Sequence, residues 1–201
     1  MVPRVHIEEH AAGLTWVVVE PMARASHALV DDGRVWLVDP VDDLAVADAV
    51  GLGEPTAVLQ LLDRHERDCA EVARRLEIPH LVVPDAVPDS PFEAIAAVRV
   101  PHWKETALWW PQRKVLVVAE LLGTNRMYTG RGDNAPKLGM HLFLRPFAPG
   151  SLRGMRPEHL LVGHGAALHG PEVGDQIEEA YAGARRQLPH VLRGLPAAIR
   201  G

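Results

Sequence analysis

Hydrophobic and polar positions change period several times along the 201-residue chain. Residues 14–19, 26–30 and 34–38 are short runs rich in β-branched and aromatic side chains, the last two separated by Asp31-Asp32-Gly33, and they predict three strands with a hairpin. After Asp39-Pro40, the near-helical spacing of Leu44, Ala45, Ala47 and Val50 predicts a short helix that stops at Gly51 and Gly53. Residues 56–62 are almost continuously apolar, as a strand covered on both faces would be, and they lead into the polar cluster Asp63-Arg64-His65-Glu66-Arg67-Asp68. Cys69, Val72, Ala73 and Leu76 then repeat at helical spacing before Pro79. A buried strand is thus expected to deliver a charged loop to the start of a helix.

Strand-like runs dominate the middle of the chain, at residues 80–84, 95–100, 106–110 and 114–122, with Pro101 and Pro111 as breaks. Residues 123–156 have little periodicity and carry six basic side chains (Arg126, Arg131, Lys137, Arg145, Arg153, Arg156) against the single acid Asp133, which suggests a positive loop region able to act as a lid. A short strand at 160–162 ends in Gly163-His164-Gly165. Val173, Ile177, Ala180, Tyr181, Ala184 and Leu188 predict a final helix ended by Pro189.

Composition narrows the function classes. Hydrophobic residues make up 47% and charged residues 23%, close to soluble globular averages, so disordered and fibrous classes are excluded. The length favours one domain spanning residues 1–201. Lys and Arg number 21 against 26 Asp and Glu, and a net charge of −5 argues against nucleic acid or an anionic membrane as partner. With one cysteine, Cys69, no intrachain disulfide can form, and the first ten residues lack the apolar run of a signal peptide. No apolar stretch approaches the ~18–20 residues of a membrane span. A cytoplasmic protein is expected, its oligomeric state open.

Candidate chemistry gathers at strand ends. Glu120 lies inside the apolar run Val117-Val118-Ala119-Glu120-Leu121-Leu122, and a carboxylate there needs a cationic partner. His164 sits between two glycines. The succession of the 63–69 cluster, Glu105-Thr106-Ala107-Leu108, Val117-Val118-Ala119-Glu120 and Gly163-His164-Gly165 resembles the metallo-β-lactamase superfamily in order and separation over residues 14–190. The resemblance implies an α/β fold, a four-layer αβ/βα sandwich of the metallo-β-lactamase type, with a metal site at the strand ends. It maps the family's H-x-H-x-D-H loop onto Arg64, Glu66, Asp68 and Cys69, its next His onto Glu105, its bridging Asp onto Glu120 and its last His onto His164. Only Asp68 and His164 keep the family's residue type.

That departure leaves two main readings open, beside a third in which a zinc site is completed by Cys69 or His65. In the first, most zinc ligands are lost, no metal is bound, and Arg64 supplies the missing charge to Asp68 or Glu120; the chain is then a binding or structural protein. In the second, Glu66, Asp68, Glu105, Glu120 and His164 hold a divalent manganese, iron, magnesium or zinc ion, and the chain is a hydrolase of a small ester, thioester or phosphoester. The basic stretch would then receive a small anionic molecule. His65 and Cys69 are expected near the pocket: His65 at a spacer position of the motif, Cys69 on the apolar face of the helix. No catalytic residue is assigned by sequence.

Overall fold

The computed structural model describes residues 4–130 and 137–192, so Arg131 and Asp133 of the basic stretch lie outside the described residues. Two mixed sheets stack face to face. The first runs in chain order: β1 (Val5–His10), β2 (Gly13–Val18), β3 (Ala25–Asp31), β4 (Arg34–Val38), β5 (Glu54–Gln60) and β6 (His80–Val82). β1 to β4 form an antiparallel meander; β4, β5 and β6 are parallel. The parallel steps need crossovers, supplied by α1 (Leu44–Val50) and α2 (Cys69–Leu76). The second sheet uses β7 (Glu93–Val100), β8 (Trp103–Trp110), β9 (Val115–Val118), β12 (His159–Val162) and β13 (Leu168–His169), in the order β13-β12-β9-β8-β7.

Period-two alternation sorts side chains between layers. On β4, Val35 and Leu37 point to the helices, where they meet Val46, Ala49, Val72 and the buried Cys69. Trp36 and Val38 point the other way, into the core between the sheets with Leu59, Leu108 and Val117. Phe92 is clamped there edge-on between Trp36 and Trp110, at ring separations of 5.1 and 5.3 Å. Such pairs add about 0.5–1.5 kcal/mol each beyond burial. α4 (Val173–Gly183) contributes Val173, Ile177, Ala180 and Tyr181 to the same core. The layers form the expected α/β sandwich.

Three details depart from the sequence expectations. β1, at 5–10, is an additional edge strand. The final helix ends at Gly183 rather than running to Leu188. The buried Arg145 guanidinium takes the Ala184 carbonyl, which a continuing helix would give to the Leu188 N–H; that N–H turns to Arg185 instead. The described part of 123–156 also carries elements the sequence did not predict: β10 (Leu122–Gly123) leads into it, α3 (Arg126–Thr129) and β11 (Gly139–Met140) lie within it, and β10 pairs with β11.

Candidate functional site

Because β4 and β5 are parallel, and β9 and β12 likewise, four strands release their C-terminal ends to one edge of the sandwich. Asp39 follows β4, His65 lies beyond β5, Glu120 follows β9 and His164 follows β12. His65 Nε2 lies 3.1 Å from Glu120 Oε1 and 3.4 Å from His164 Nε2, and His164 Nε2 lies 3.6 Å from the same oxygen. Among the described residues, His65, Glu120 and His164 are the one group whose donor atoms could surround a metal ion, all within 4.8 Å of one another.

Each imidazole is held from behind. Asp39 Oδ2 faces His65 Nδ1 at 3.0 Å, and the Met22 carbonyl faces His164 Nδ1 at 3.0 Å. Both supports accept only, so the protons of neutral rings belong on Nδ1 and both Nε2 lone pairs face the centre. Asp39 adopts a left-handed φ of 44° and uses its other oxygen to accept the Leu61 N–H. Arg67 braces the whole edge: it donates to the carbonyls of Ala25, Asp39 and Gly163, at 2.5, 2.9 and 2.9 Å. Gly163 permits a close crossing, since a Cβ there would sit 2.3 Å from the Ala119 carbonyl oxygen.

Electrostatics follow from these contacts. Burial alone would raise the Glu120 carboxyl, but the facing His164 and His65 reverse that and hold it well below the usual range. Burial and Arg67 push His65 down, while Asp39 and Glu120 more than offset them and leave it above its ordinary value. His141, whose Nε2 lies 3.8 Å from Glu120 Oε2, is driven down to about 4, chiefly by burial.

The residues singled out in the sequence separate into distinct places. Glu120 and His164 come together at the centre, joined by His65. Glu105 is fully buried, but its Oε1 accepts the N–H groups of Ala119, Glu120 and Leu121, each at 3.0 Å, and its Oε2 accepts the Trp103 indole N–H at 3.2 Å. It therefore pins the bend carrying Glu120 and has no oxygen turned to the centre. Burial lifts its pKa to about 6 against the pull of these donors. Asp68 caps the Asp42 N–H at 2.8 Å, and Glu66 is exposed. Cys69 is buried on α2, its thiol pushed up by burial and its Sγ near the His65 carbonyl. Arg64 lies at the rim: its guanidinium sits 3.9 Å over the Trp103 ring, donates to the His102 carbonyl at 2.6 Å, and approaches Glu120 only to 3.9 Å.

Asp39, Arg67 and His141 went unassigned in the sequence. Asp39 ended a strand, Arg67 was one charge in a polar cluster, and His141 lay in an aperiodic stretch. A cleft of about 130 Å³ opens from Glu120 between Met22, Met127, Tyr128, His141 and Phe143. None of the described basic residues of 123–156 lines it. Arg145 is buried on the carbonyls of Met140, Tyr128 and Ala184, while Arg153 and Arg156 face Glu178.

No protein-family model and no curated protein matches the sequence. Solved structures do. The DIM-1 metallo-β-lactamase exposed to ceftazidime is similar with a TM-score of 0.60 and 11% identity, covering 92% of this chain and 99% of that one. A second DIM-1 metallo-β-lactamase structure gives 0.58 and 13% over 92% and 99%, and VMB-1 at pH 5.5 gives 0.57 and 7% over 92% and 98%. At such identities the likeness is one of architecture: the chain has the metallo-β-lactamase fold. Among the described residues no helix is long and apolar enough to cross a membrane.

Proposed function

We propose that this chain is a mononuclear metal-dependent hydrolase whose single divalent ion, zinc or ferrous iron, is held by His65, Glu120 and His164. The observation that carries this reading is the pair of converging Nε2 lone pairs, each ring backed at Nδ1 by an acceptor, with Glu120 Oε1 at 3.1 Å from one and 3.6 Å from the other. Two donors at tetrahedral angles around an ion with ~2.0–2.1 Å bonds lie about 3.3 Å apart, close to the spacings found here. Two imidazoles and one carboxylate suit zinc or ferrous iron, whereas magnesium and calcium favour all-oxygen shells. When bound, such an ion polarises a carbonyl and activates water. Around it, Asp39 fixes the His65 tautomer, Glu105 holds the 119–121 bend in register, and Arg67 locks three strand ends together. The family's remaining ligand positions offer no second site, because Asp68, Cys69 and Glu105 are committed elsewhere.

A second reading draws support from the 3.1 Å contact of His65 Nε2 with Glu120 and the raised His65 pKa. An imidazolium between Asp39 and Glu120 is itself a cation at the centre, a role the sequence suggested for Arg64, and the chain would be a metal-free binding protein. Elemental analysis of untagged protein, purified without chelator and then incubated with zinc or ferrous iron, separates the two. One equivalent of metal, lost in Glu120→Ala and His164→Ala, together with esterase turnover, supports the hydrolase. Protein that refuses both metals supports the metal-free reading.

A further inference from the structure

The cleft beside Glu120 has a composition that speaks to its occupant. Its walls are Met22 from the β2–β3 turn, Met127 and Tyr128 from α3, and Phe143 beyond β11. Phe143 is 70% exposed and Met22 40% exposed, and with Met127 they group apolar surface on this one cleft. The Tyr128 ring lies stacked beside His164, at 6.0 Å between centroids, and edge-on to His141, so the apolar walls run directly to the candidate metal ligands. The ionisable groups at the inner end of the cleft are Glu120 itself and His141, whose Nε2 lies 3.8 Å from Glu120 Oε2. Arg64, at the rim of the site, is occupied by Trp103 and the His102 carbonyl.

We infer that this cleft receives a neutral, apolar acyl or aryl group of about benzene size, and that the substrate is an uncharged ester or thioester rather than a phosphoester or carboxylate. The size follows from volume: an apolar cavity of ~150 Å³ is filled by benzene. The charge follows from the walls: Met22, Met127, Leu142 and Phe143 line the cleft and, among the described residues, no Lys or Arg does, so an anionic group placed there would lose water without gaining a cationic partner. The substrate class rests on the hydrolase reading; the apolar occupancy of the cleft does not.

Methionine methyl NMR tests this directly, because Met22 and Met127 line the cleft while Met140 is buried in the core. Full-length protein labelled at its methionine methyls is titrated with acetanilide, benzoate and phenyl phosphate, with and without zinc. Acetanilide is expected to shift Met22 and Met127, leave Met140 unmoved, and bind about tenfold more weakly to Phe143→Ser, in line with the loss of ~1.4 kcal/mol of apolar contact. Zinc-loaded protein should also hydrolyse phenyl acetate and leave phenyl phosphate intact. Acetanilide binding in protein that takes up no metal upholds the cleft's occupant and overturns the hydrolase. Metal binding with benzoate or phenyl phosphate preferred over acetanilide, or with no methyl shift from any probe, overturns the inference and leaves the metal reading standing.

Discussion

His65 and His164 face one another across 3.4 Å at their Nε2 atoms, and the Asp39 carboxylate behind His65 determines what that face can do. With Asp39 accepting at Nδ1, a neutral His65 turns a lone pair to the centre. Asp39→Asn keeps the shape, tolerates the left-handed backbone at this position, and can still accept the Leu61 N–H, but it removes the charge behind the ring. On the proposed reading, zinc affinity falls about 10–100-fold with an unchanged circular dichroism spectrum. Competition titration against a chromophoric chelator measures it. Equal affinity in the variant would remove Asp39 from the site.

Two neighbouring arginines differ sharply in what they hold. The Arg64 side chain is 43% exposed and rests on Trp103, so Arg64→Ala should cost no more than about 1 kcal/mol. Arg67 is spent on three backbone carbonyls, those of Ala25 at the start of β3, Asp39 just after β4 and Gly163 just after β12, and lies beside the buried Asp39 carboxylate. Arg67→Ala takes one donor from each, although Asp39 O keeps the Ser26 hydroxyl and Gly163 O keeps the Ala25 N–H, and it leaves the buried Asp39 carboxylate short of positive charge, an expected loss of ~3–5 kcal/mol. Urea unfolding of the two variants decides between them; a larger loss at Arg64 would return it to the centre of the site.

The strands and helices were legible because burial writes periodicity into them: the alternation along β4 and the repeat of Cys69, Val72 and Ala73 are visible without coordinates. The strand ends carrying Glu120 and His164 were legible for the same reason. The loop between β5 and α2 was not. Its side-chain directions come from a turn closed by the His65 N–H on the Leu62 carbonyl and from the positive φ of Arg67, neither of which leaves a period in the sequence. A motif register laid on such a loop places Arg64 and Glu66 inward, whereas the turn brings in His65. His141 was invisible for a related reason, since its position depends on the β10–β11 pairing across an aperiodic stretch.

Glu105 provides a test of how the bend at 119–121 is held. In Glu105→Gln one oxygen can still accept the three N–H groups, but the amide nitrogen then meets the Trp103 indole N–H, donor against donor. The expected cost is ~1–3 kcal/mol in thermal or urea unfolding, with weaker zinc binding because Glu120 loses its register. Adding Trp103→Phe to this variant removes the clashing donor and should recover part of the loss. No recovery would mean that the carboxylate charge, rather than the donor geometry, holds the bend.

Acid should weaken the sandwich through a chain of histidines that links the two sheets. The Ala12 N–H donates to His10 Nδ1, and His10 Nε2 contacts Thr15 Oγ1 at 2.9 Å. Thr15 Oγ1 contacts His27 Nδ1 at 2.8 Å, and His27 Nε2 reaches the Val162 carbonyl of the other sheet at 3.2 Å. Every proton in this chain has one consistent direction with both rings neutral, and a further proton on His27 would meet the Thr15 hydroxyl as a second donor. Burial accordingly lowers His27 to about 3 and, with help from His169 and His159, lowers His10 to about 4. A folded pKa below the unfolded one means that the unfolded chain takes the proton first. The His27 contribution is therefore complete above about pH 6.5 and shrinks as pH falls toward 3, by ~1.4 kcal/mol per unit, or about 2 kcal/mol at pH 5. Glu105, raised to about 6, acts oppositely between about pH 6 and 4.5, so the clean measurement is made in the Glu105→Gln background. There the unfolding free energy should fall steeply from pH 7 to pH 5, and His27→Asn should flatten that slope whatever its own stability. An unchanged slope would show that His27 does not carry the acid sensitivity.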